Sequence, residues 1–393
     1  MLDIERNTSV KSGWLCSEVG MGKSAIVVAL IASNPLPQEL HPTREQCVQA
    51  RYKIKKTEVK SENHHLVDVK ATVIITTKSL MGQWEDEIAK HAPSLIVKRH
   101  FGKADKMKLA ELAIADVIVT AATASWNECF TRRFRYRRVV VDESHLLGTG
   151  SMLSKIIDAI IAERTWCISA TPFAKSDSGI QRQVDLMELK QEHRDLSQKE
   201  FFTKYMLRHT KSMLIGGSQA LTLPPATTKV VMVDLDKEER AQFEDKYSNQ
   251  SSFADNFHGR SQKLASVEMK WYGMMAGFYG KVKTLQNHLK ELLQSDRNVR
   301  SVIFTHFKLH QDAIKLSLFE IPNMTVYNFS GSSDSRTRDK LIREFQGHKD
   351  GPACFVMTIK TGSVGITLHN ATNVFLMEPC LNPSQEVQAA GRI

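Results

Sequence analysis

Two short segments gather the residue types that phosphate chemistry needs. The first is Ser17-Glu18-Val19-Gly20-Met21-Gly22-Lys23-Ser24, which follows a short apolar strand and opens an apolar helix predicted over residues 25–33. Glycines at 20 and 22 let backbone N–H groups approach phosphate oxygens, and the amino end of the helix adds its dipole. Lys23 is placed to meet the outer phosphates. The Ser24 hydroxyl suits Mg²⁺, a hard ion that takes few protein ligands. Ser17 stands where the strict pattern G-x-x-x-x-G-K-[ST] has its first glycine, so the segment by itself also suits a plain helix-capping turn.

The second segment is Val139-Val140-Val141-Asp142-Glu143-Ser144-His145, a β-branched run that ends in adjacent acids. Asp142 is suited to hold Mg²⁺ through water, and Glu143 to orient or deprotonate an attacking water. Acids at a strand end are often no more than solvated charges. A glycine-lysine loop and an acid pair with strands between them, however, form the layout of a nucleotide-hydrolysing sheet.

The elements that would position these groups are predicted from alternating strands and helices. Val73–Thr76, Val117–Thr120, Val139–Val141 and Trp166–Ser169 read as buried parallel strands in the first half. Val230–Val233, Val302–Thr305, Thr325–Tyr327, Phe355–Thr358 and Val374–Met377 repeat the pattern in the second half. The fold class is therefore α/β, with two mostly parallel sheets flanked by helices. Gly216-Gly217-Ser218 and Pro224-Pro225 read as a linker, which puts one domain over 1–215 and the other over 216–393. Residues 34–70 read as a long polar loop and 236–290 as a charged, helix-prone segment.

The 393 residues are enough for two or three domains with cores of their own. Lys+Arg 53 against Asp+Glu 43 gives a net charge of +10, which favours a polyanionic partner. The six cysteines form no C-x-x-C pair, so no structural zinc is expected and a reducing compartment is. The longest apolar run, residues 25–32, is far short of the roughly 20 residues that span a bilayer, and no basic signal region precedes it, so neither membrane insertion nor secretion is expected. Arg132, Arg133, Arg135, Arg137 and Arg138, interleaved with Phe134 and Tyr136, read either as a grip on a polyanion or as a solvated charged face.

The sequence resembles the Swi/Snf-type DNA-dependent ATPases of helicase superfamily two along nearly its whole length. SEVGMGKS resembles motif I, VIITTKSLMGQWEDEI at 73–88 motif Ia, and VVVDESHL the acid motif in its Asp-Glu-x-His form. DVIVTAATA at 116–124 is similar to the strand that follows motif Ia, and Ser169-Ala170-Thr171-Pro172 resembles motif III, with Ser-Ala-Thr where Thr-Gly-Thr is common. LRHTK at 207–211 is similar to the passage into the second lobe, and SVIFTHFKLH at 301–310 to motif IV. Thr361 through Leu368, Asn382-Pro383, Gln388 and Arg392 are similar to motifs V and VI.

The resemblance implies two RecA-like lobes with ATP and Mg²⁺ bound between them, and it implies roles for particular residues. Gly20, Met21, Gly22, Lys23, Ser24 and Gln388 would bind ATP. Lys23, Asp142, Glu143 and Arg392 would be catalytic, with Ser24 and Asp142 on the metal. His145, Thr171 and Gly365 would couple hydrolysis to lobe movement. Ser79, Trp84, Thr120, Thr305 and Thr358 would face double-stranded DNA or chromatin, in a nuclear protein, and Arg132 and Arg133 of the basic run are candidates for the same surface. The family pattern continues to a second arginine beyond Arg392, whereas Ile393 ends this sequence. A fragment that binds ATP and turns it over slowly is thus one expectation, beside a strand-separating helicase and a viral transcription-associated ATPase of the same superfamily.

Overall fold

The computed structural model describes residues 1–7, 10–50, 66–102, 106–121, 123–126, 128–147, 152–172, 177–219, 227–234, 278–328, 335–362 and 368–380, with positions 237, 238, 240, 241, 366, 386 and 389–391. It divides into two compact units, Met1–Thr222 and Leu223–Ile393. No helix among the described residues is long and apolar enough to cross a membrane.

The first unit is built on seven strands: β1 (Gly13–Leu15), β2 (Val67–Thr76), β3 (Val97–His100), β4 (Val117–Ala121), β5 (Phe134–Asp142), β6 (Thr165–Ile168) and β7 (Met206–Leu207). Their order is β3-β4-β2-β5-β6-β1-β7, and every pairing is parallel. Strands buried on both faces must be apolar throughout rather than alternating. The central strands obey this: Val73, Ile74, Ile75, Val117, Ile118, Val119, Val140 and Val141 are all buried. Trp14, Phe134, Tyr136, Phe201 and Tyr205 join them in the main core. The helix Lys23–Ser33 buries Val27, Val28, Leu30 and Ile31.

Two expectations for this unit are revised. Residues 34–70 are not all loop, because Arg44–Gln49 form a helix and β2 already begins at Val67. Thr43 starts that helix with a reciprocal cap: its hydroxyl accepts from Gln46 N at 3.1 Å, and Gln46 Oε1 accepts from Thr43 N at 2.8 Å. The Gly216-Gly217 pair is not slack linker. It turns a two-stranded hairpin, β8 (Leu214–Ile215) and β9 (Ser218–Gln219), with φ of 59° and 85°. Two successive positive φ values make the tight turn whose twist suits a hairpin, and glycine reaches them without steric cost.

The second unit holds β10 (Arg300–Thr305), β11 (Thr325–Asn328), β12 (Ala353–Thr358) and β13 (Asn373–Leu376), ordered β11-β12-β10-β13 and again all parallel. One face packs Val302, Phe304, Phe345, Phe355 and Met357; the other packs Leu285, Leu289, Ile303, Ile314 and Val356. Helices Phe278–Ser295, Lys308–Leu318 and Ser335–Gln346 accompany the sheet. The strand expected at Val230–Val233 is absent. Val230 is 81% and Met232 89% exposed, and no described strand pairs with the segment, so its apolar run has no hydrogen-bond ladder to join. Each unit is thus a parallel sheet with helices, the arrangement of a RecA-like lobe.

Candidate nucleotide site

In a parallel sheet, ligands bind beyond the carboxyl ends of the strands. The loop after β1 and the tip of β5 lie at that edge, with β6 alone between their strands. Neighbouring strands are about 4.8 Å apart, which puts the loop and the acids about 10 Å apart along the sheet.

Gly20 and Gly22 take φ of 85° and 67°, and Gly22 caps the helix Lys23–Ser33. A Cβ on Gly22 would meet nothing within 4 Å, so glycine is needed there for its backbone angle and not for lack of space. Lys23 Nζ donates to the carbonyls of Ser17 (2.9 Å) and Glu18 (3.1 Å), and so lies across the mouth of its own loop. Met21 and Ser24 are half-buried in the same turn. Ser17 is fully buried, and its hydroxyl pairs with His209 Nδ1 at 2.9 Å. Glu18 N donates to His209 O at 2.9 Å, and Glu18 Oε2 accepts from Lys211 N at 2.9 Å. The segment after β7 therefore braces the Gly20–Ser24 loop. Ser17, the departure from the strict pattern, is one of the bracing points.

At the tip of β5, Asp142 Oδ2 accepts from Thr76 Oγ1 (2.9 Å) and Trp84 Nε1 (2.8 Å), and Oδ1 accepts from Glu143 N (2.9 Å). Three donors fix the carboxylate, and of its roughly four lone-pair sites one stays available, on Oδ1. Glu143 has φ 50°, an uncommon backbone for a residue with a Cβ, of the kind that gathers at functional sites. Its Oε2 lies 3.3 Å from His145 Nδ1, which also pairs with Ser169 Oγ at 2.9 Å. Ser169 Oγ accepts from Thr171 N at 3.1 Å. The acid motif, His145 and Thr171 thus form one connected chain. A glutamine extends it: Gln183 Oε1 accepts from Ser144 Oγ (3.1 Å) and Trp14 Nε1 (2.9 Å), while its Nε2 donates to Pro172 O (3.1 Å). Burial pushes the Cys16 thiol up to about 12, which leaves it no part as a nucleophile beside the loop.

Several expected DNA-facing side chains are occupied elsewhere. Trp84 is 3% exposed, with its indole on Asp142. Thr120 is fully buried and donates to His100 O at 2.8 Å. Thr305 is also buried and donates to Glu378 Oε1 at 2.9 Å. A duplex surface cannot reach any of the three as they sit. Thr358 is half-buried, with its hydroxyl 2.9 Å from that of Thr361. Arg132 is exposed and Arg133 half-exposed at the end of the helix Glu128–Arg132. Arg135, Arg137 and Arg138 each pair with an acid of the same unit: Asp68, Glu163 and Glu5 respectively. The side chain of Ser79, and Gly365, Gln388 and Arg392 altogether, lie outside the described residues.

Residues 1–191 match the SNF2-related domain and residues 281–393 the helicase conserved C-terminal domain. The chain is a Swi/Snf-type member of helicase superfamily two. It is 23% identical over 480 residues to the TATA-binding protein-associated factor MOT1 of Saccharomyces cerevisiae, an alignment covering 97% of this chain and 24% of that protein. The DNA repair protein RAD5 of Debaryomyces hansenii is 34% identical over 117 residues, covering 29% of this chain and 10% of that one. The chain thus spans about a quarter or less of these relatives' own length. The Pyrococcus furiosus Hef helicase domain shares the fold, with a TM-score of 0.52 and 13% identity over 96% of this chain and 89% of that one.

Proposed function

We propose that this Swi/Snf member hydrolyses ATP and uses the cycle to move along double-stranded DNA. The observation that carries the reading is the pairing, on one carboxyl edge, of the braced Gly20–Ser24 loop with an Asp142 carboxylate fixed by Thr76, Trp84 and Glu143 N. Lys23 would exchange the carbonyls of Ser17 and Glu18 for phosphate oxygens. Backbone N–H groups at the start of the helix Lys23–Ser33 would take the rest of the phosphate charge. Ser24 and Asp142 supply hard oxygen donors, and the lone pair left on Asp142 fits a Mg²⁺ ion that would neutralise charge between the outer phosphates. Glu143 would take a proton from the attacking water as oxygen bonds to the terminal phosphorus and the bond to ADP breaks. The chain through His145, Ser169 and Thr171 would report that event to the rest of the lobe. Gln388 would complete ATP binding and Arg392 catalysis from the second lobe, with ATP held between the lobes, and Gly365 would share the coupling role.

Duplex DNA as the track rests on family membership, on the net charge of +10 and on the names of relatives tied to DNA repair and to a TATA-binding factor. Arg132 and Arg133 would be among the phosphate contacts, and the setting would be a nuclear remodelling or repair activity. The test is the ATPase rate without nucleic acid and with duplex DNA, single-stranded DNA and RNA. Stimulation by duplex DNA that Lys23→Ala and Glu143→Gln both abolish is the expected result. A rate the two substitutions leave unchanged would remove ATP hydrolysis from the reading. Stimulation by single strands alone would remove the duplex.

A further inference from the structure

The first unit holds a cationic cavity of about 350 Å³ at the sheet edge opposite the nucleotide site. Lys11 precedes β1, Glu163 and Arg164 precede β6, and Arg135, Arg137 and Asp68 lie in the first residues of β5 and β2. Arg137 and Asp142 are five residues apart on β5, which at about 3.3 Å per residue separates the cavity from the acid motif by about 16 Å.

The walls carry an unbalanced charge. Lys11, Arg135, Arg137 and Arg164 are four cations against the two carboxylates of Asp68 and Glu163, an excess of two. Glu163 is shared three ways: Oε1 lies 3.3 Å from Lys11 Nζ, and Oε2 lies 2.7 Å from Arg137 Nη1 and 2.5 Å from Arg164 Nη1. Asp68 is taken by Arg135 at 2.5 and 2.9 Å. Glu5 adjoins, 2.6 Å from Arg138 Nη2 and 3.3 Å from Arg164 Nε; with that pair included, five cations face three carboxylates and the excess is still two. Arg137 and Arg164 have side chains only 8% and 5% exposed; Arg137 Nε has no hydrogen-bond acceptor, while Arg164 leans on carboxylates already engaged by other cations, with Nη1 2.5 Å from Glu163 Oε2 and Nε 3.3 Å from Glu5 Oε2. Burial, with Arg164 next to it, lowers the Arg137 pKa below the ordinary guanidinium value. Buried like charges that must share carboxylates, with one donor idle, are costly, and a dianion between them relieves both the repulsion and the missing bond. The facing wall differs in kind: Leu36, Pro37 and Leu40 are apolar, and Leu40 is 52% exposed.

We infer that this cavity is a binding site for a small organic phosphomonoester, its dianionic phosphate on the Lys11–Arg135–Arg137–Arg164 floor and its organic body on Leu36, Pro37 and Leu40. A phosphomonoester carries nearly two negative charges at neutral pH, which matches the excess. A nucleic acid offers one charge per phosphate, on a surface too broad for arginines this deeply buried. The inference does not depend on the nucleotide reading.

The test is titration calorimetry on the full 393-residue chain bearing Lys23→Ala, which disables the phosphate loop as a competing site. The probes are phenyl phosphate, phenyl sulfate and inorganic phosphate at pH 8 and constant ionic strength. Phenyl sulfate has the same ring with one charge, and inorganic phosphate has the charge without the ring. Saturable phenyl phosphate binding, with a Kd at least tenfold below either control, is expected. Lys11→Ala and Arg135→Ala change side chains 38% and 48% exposed, so the fold survives them; each should weaken that binding at least fivefold. Equal affinity for phenyl phosphate and phenyl sulfate, indifference to both substitutions, absence of saturation, or full displacement by duplex DNA would each overturn the inference.

Discussion

Glu5→Gln tests how the first unit is held together. The Glu5 side chain is fully buried, and its oxygens accept from Arg138 Nε (2.6 Å), Arg138 Nη2 (2.6 Å), Trp166 Nε1 (2.9 Å) and Asn34 Nδ2 (2.6 Å). It thereby ties the first helix, Leu2–Asn7, to β5, to β6 and to the residue after the helix Lys23–Ser33. Glutamine keeps the shape but turns one acceptor into a donor aimed at a guanidinium that is only 1% exposed. Removing one partner of a buried ion pair costs about 3–5 kcal/mol, because the other charge is left without compensation. For a unit of this size that is a fall in Tm of about 6–20 °C. Urea melts should follow tryptophan emission, since Trp166 Nε1 sits on the altered carboxylate. Replacing both partners, Glu5→Met with Arg138→Met, should recover most of the loss, because the pair is paid for mainly in desolvation. Burial alone would raise the Glu5 carboxyl; the hydrogen bonds and charge of Arg138, with Trp166 and Asn34, outweigh it and hold the group below its ordinary value. Its contribution is therefore complete above about pH 4.3 and fades as pH falls through the lower folded value, so wild type and Glu5→Gln should converge in acid. A single-substitution cost under about 1 kcal/mol, or a double variant no better than the single, would refute the hub.

Two further outcomes can be checked. Trp84→Phe keeps a buried ring but removes the N–H that Asp142 accepts at 2.8 Å, a bond to a charged group worth about 1.5–3 kcal/mol. Steady-state kinetics should show kcat/KM for ATP falling about tenfold or more, while circular dichroism leaves the fold intact; unchanged kinetics would remove Trp84 from the site. Burial raises the thiols of Cys16, Cys354 and Cys380 to about 12 and that of Cys47 to about 11, and Cys380 is the one not fully buried among the six. Maleimide labelling followed by peptide mass spectrometry at pH 7.5 should mark Cys380 first and the others only in denaturant; rapid native labelling of Cys16 or Cys47 would contradict this packing.

That the two motifs end strands of one parallel sheet was legible because local sequence carried it. The β-branched run before Asp142 marks a buried strand, and an apolar helix opening on Gly20-Met21-Gly22-Lys23 marks a loop at a strand end, so each motif supplies its own element. What holds those motifs was not legible. Thr76 reaches Asp142 across the β2–β5 pairing and Trp84 from the helix Met81–His91, and Ser17 meets His209 from the far end of the unit. Gln183 joins Trp14, Ser144 and Pro172 without any residue pattern around it to mark it. Such partners are fixed by which strands lie side by side, and strand order is a property of the fold and not of any window of sequence. The loss of Val230–Val233 as a strand has the same root: apolar alternation gives a segment the means to pair, and the sheet decides whether a ladder is offered.

The arginines of β5 show how an excess of charge becomes specific. Read along the chain, Arg132 through Arg138 is one basic run, and a basic run suggests nucleic acid. In the fold its members meet different acids: Arg138 takes both oxygens of Glu5, Arg135 both oxygens of Asp68, while Arg137 must share Glu163 with Arg164 and Lys11. The Glu5–Arg138 pair is buried and serves stability; the Arg135–Asp68 pair, half-exposed, lies on the cavity wall. The third is short of negative charge, and Arg137 and Arg164 are short of it where they are almost fully buried. The same residues that look alike in sequence therefore separate into a structural pair and a ligand-seeking cluster, according to how many carboxylates the neighbouring strands deliver.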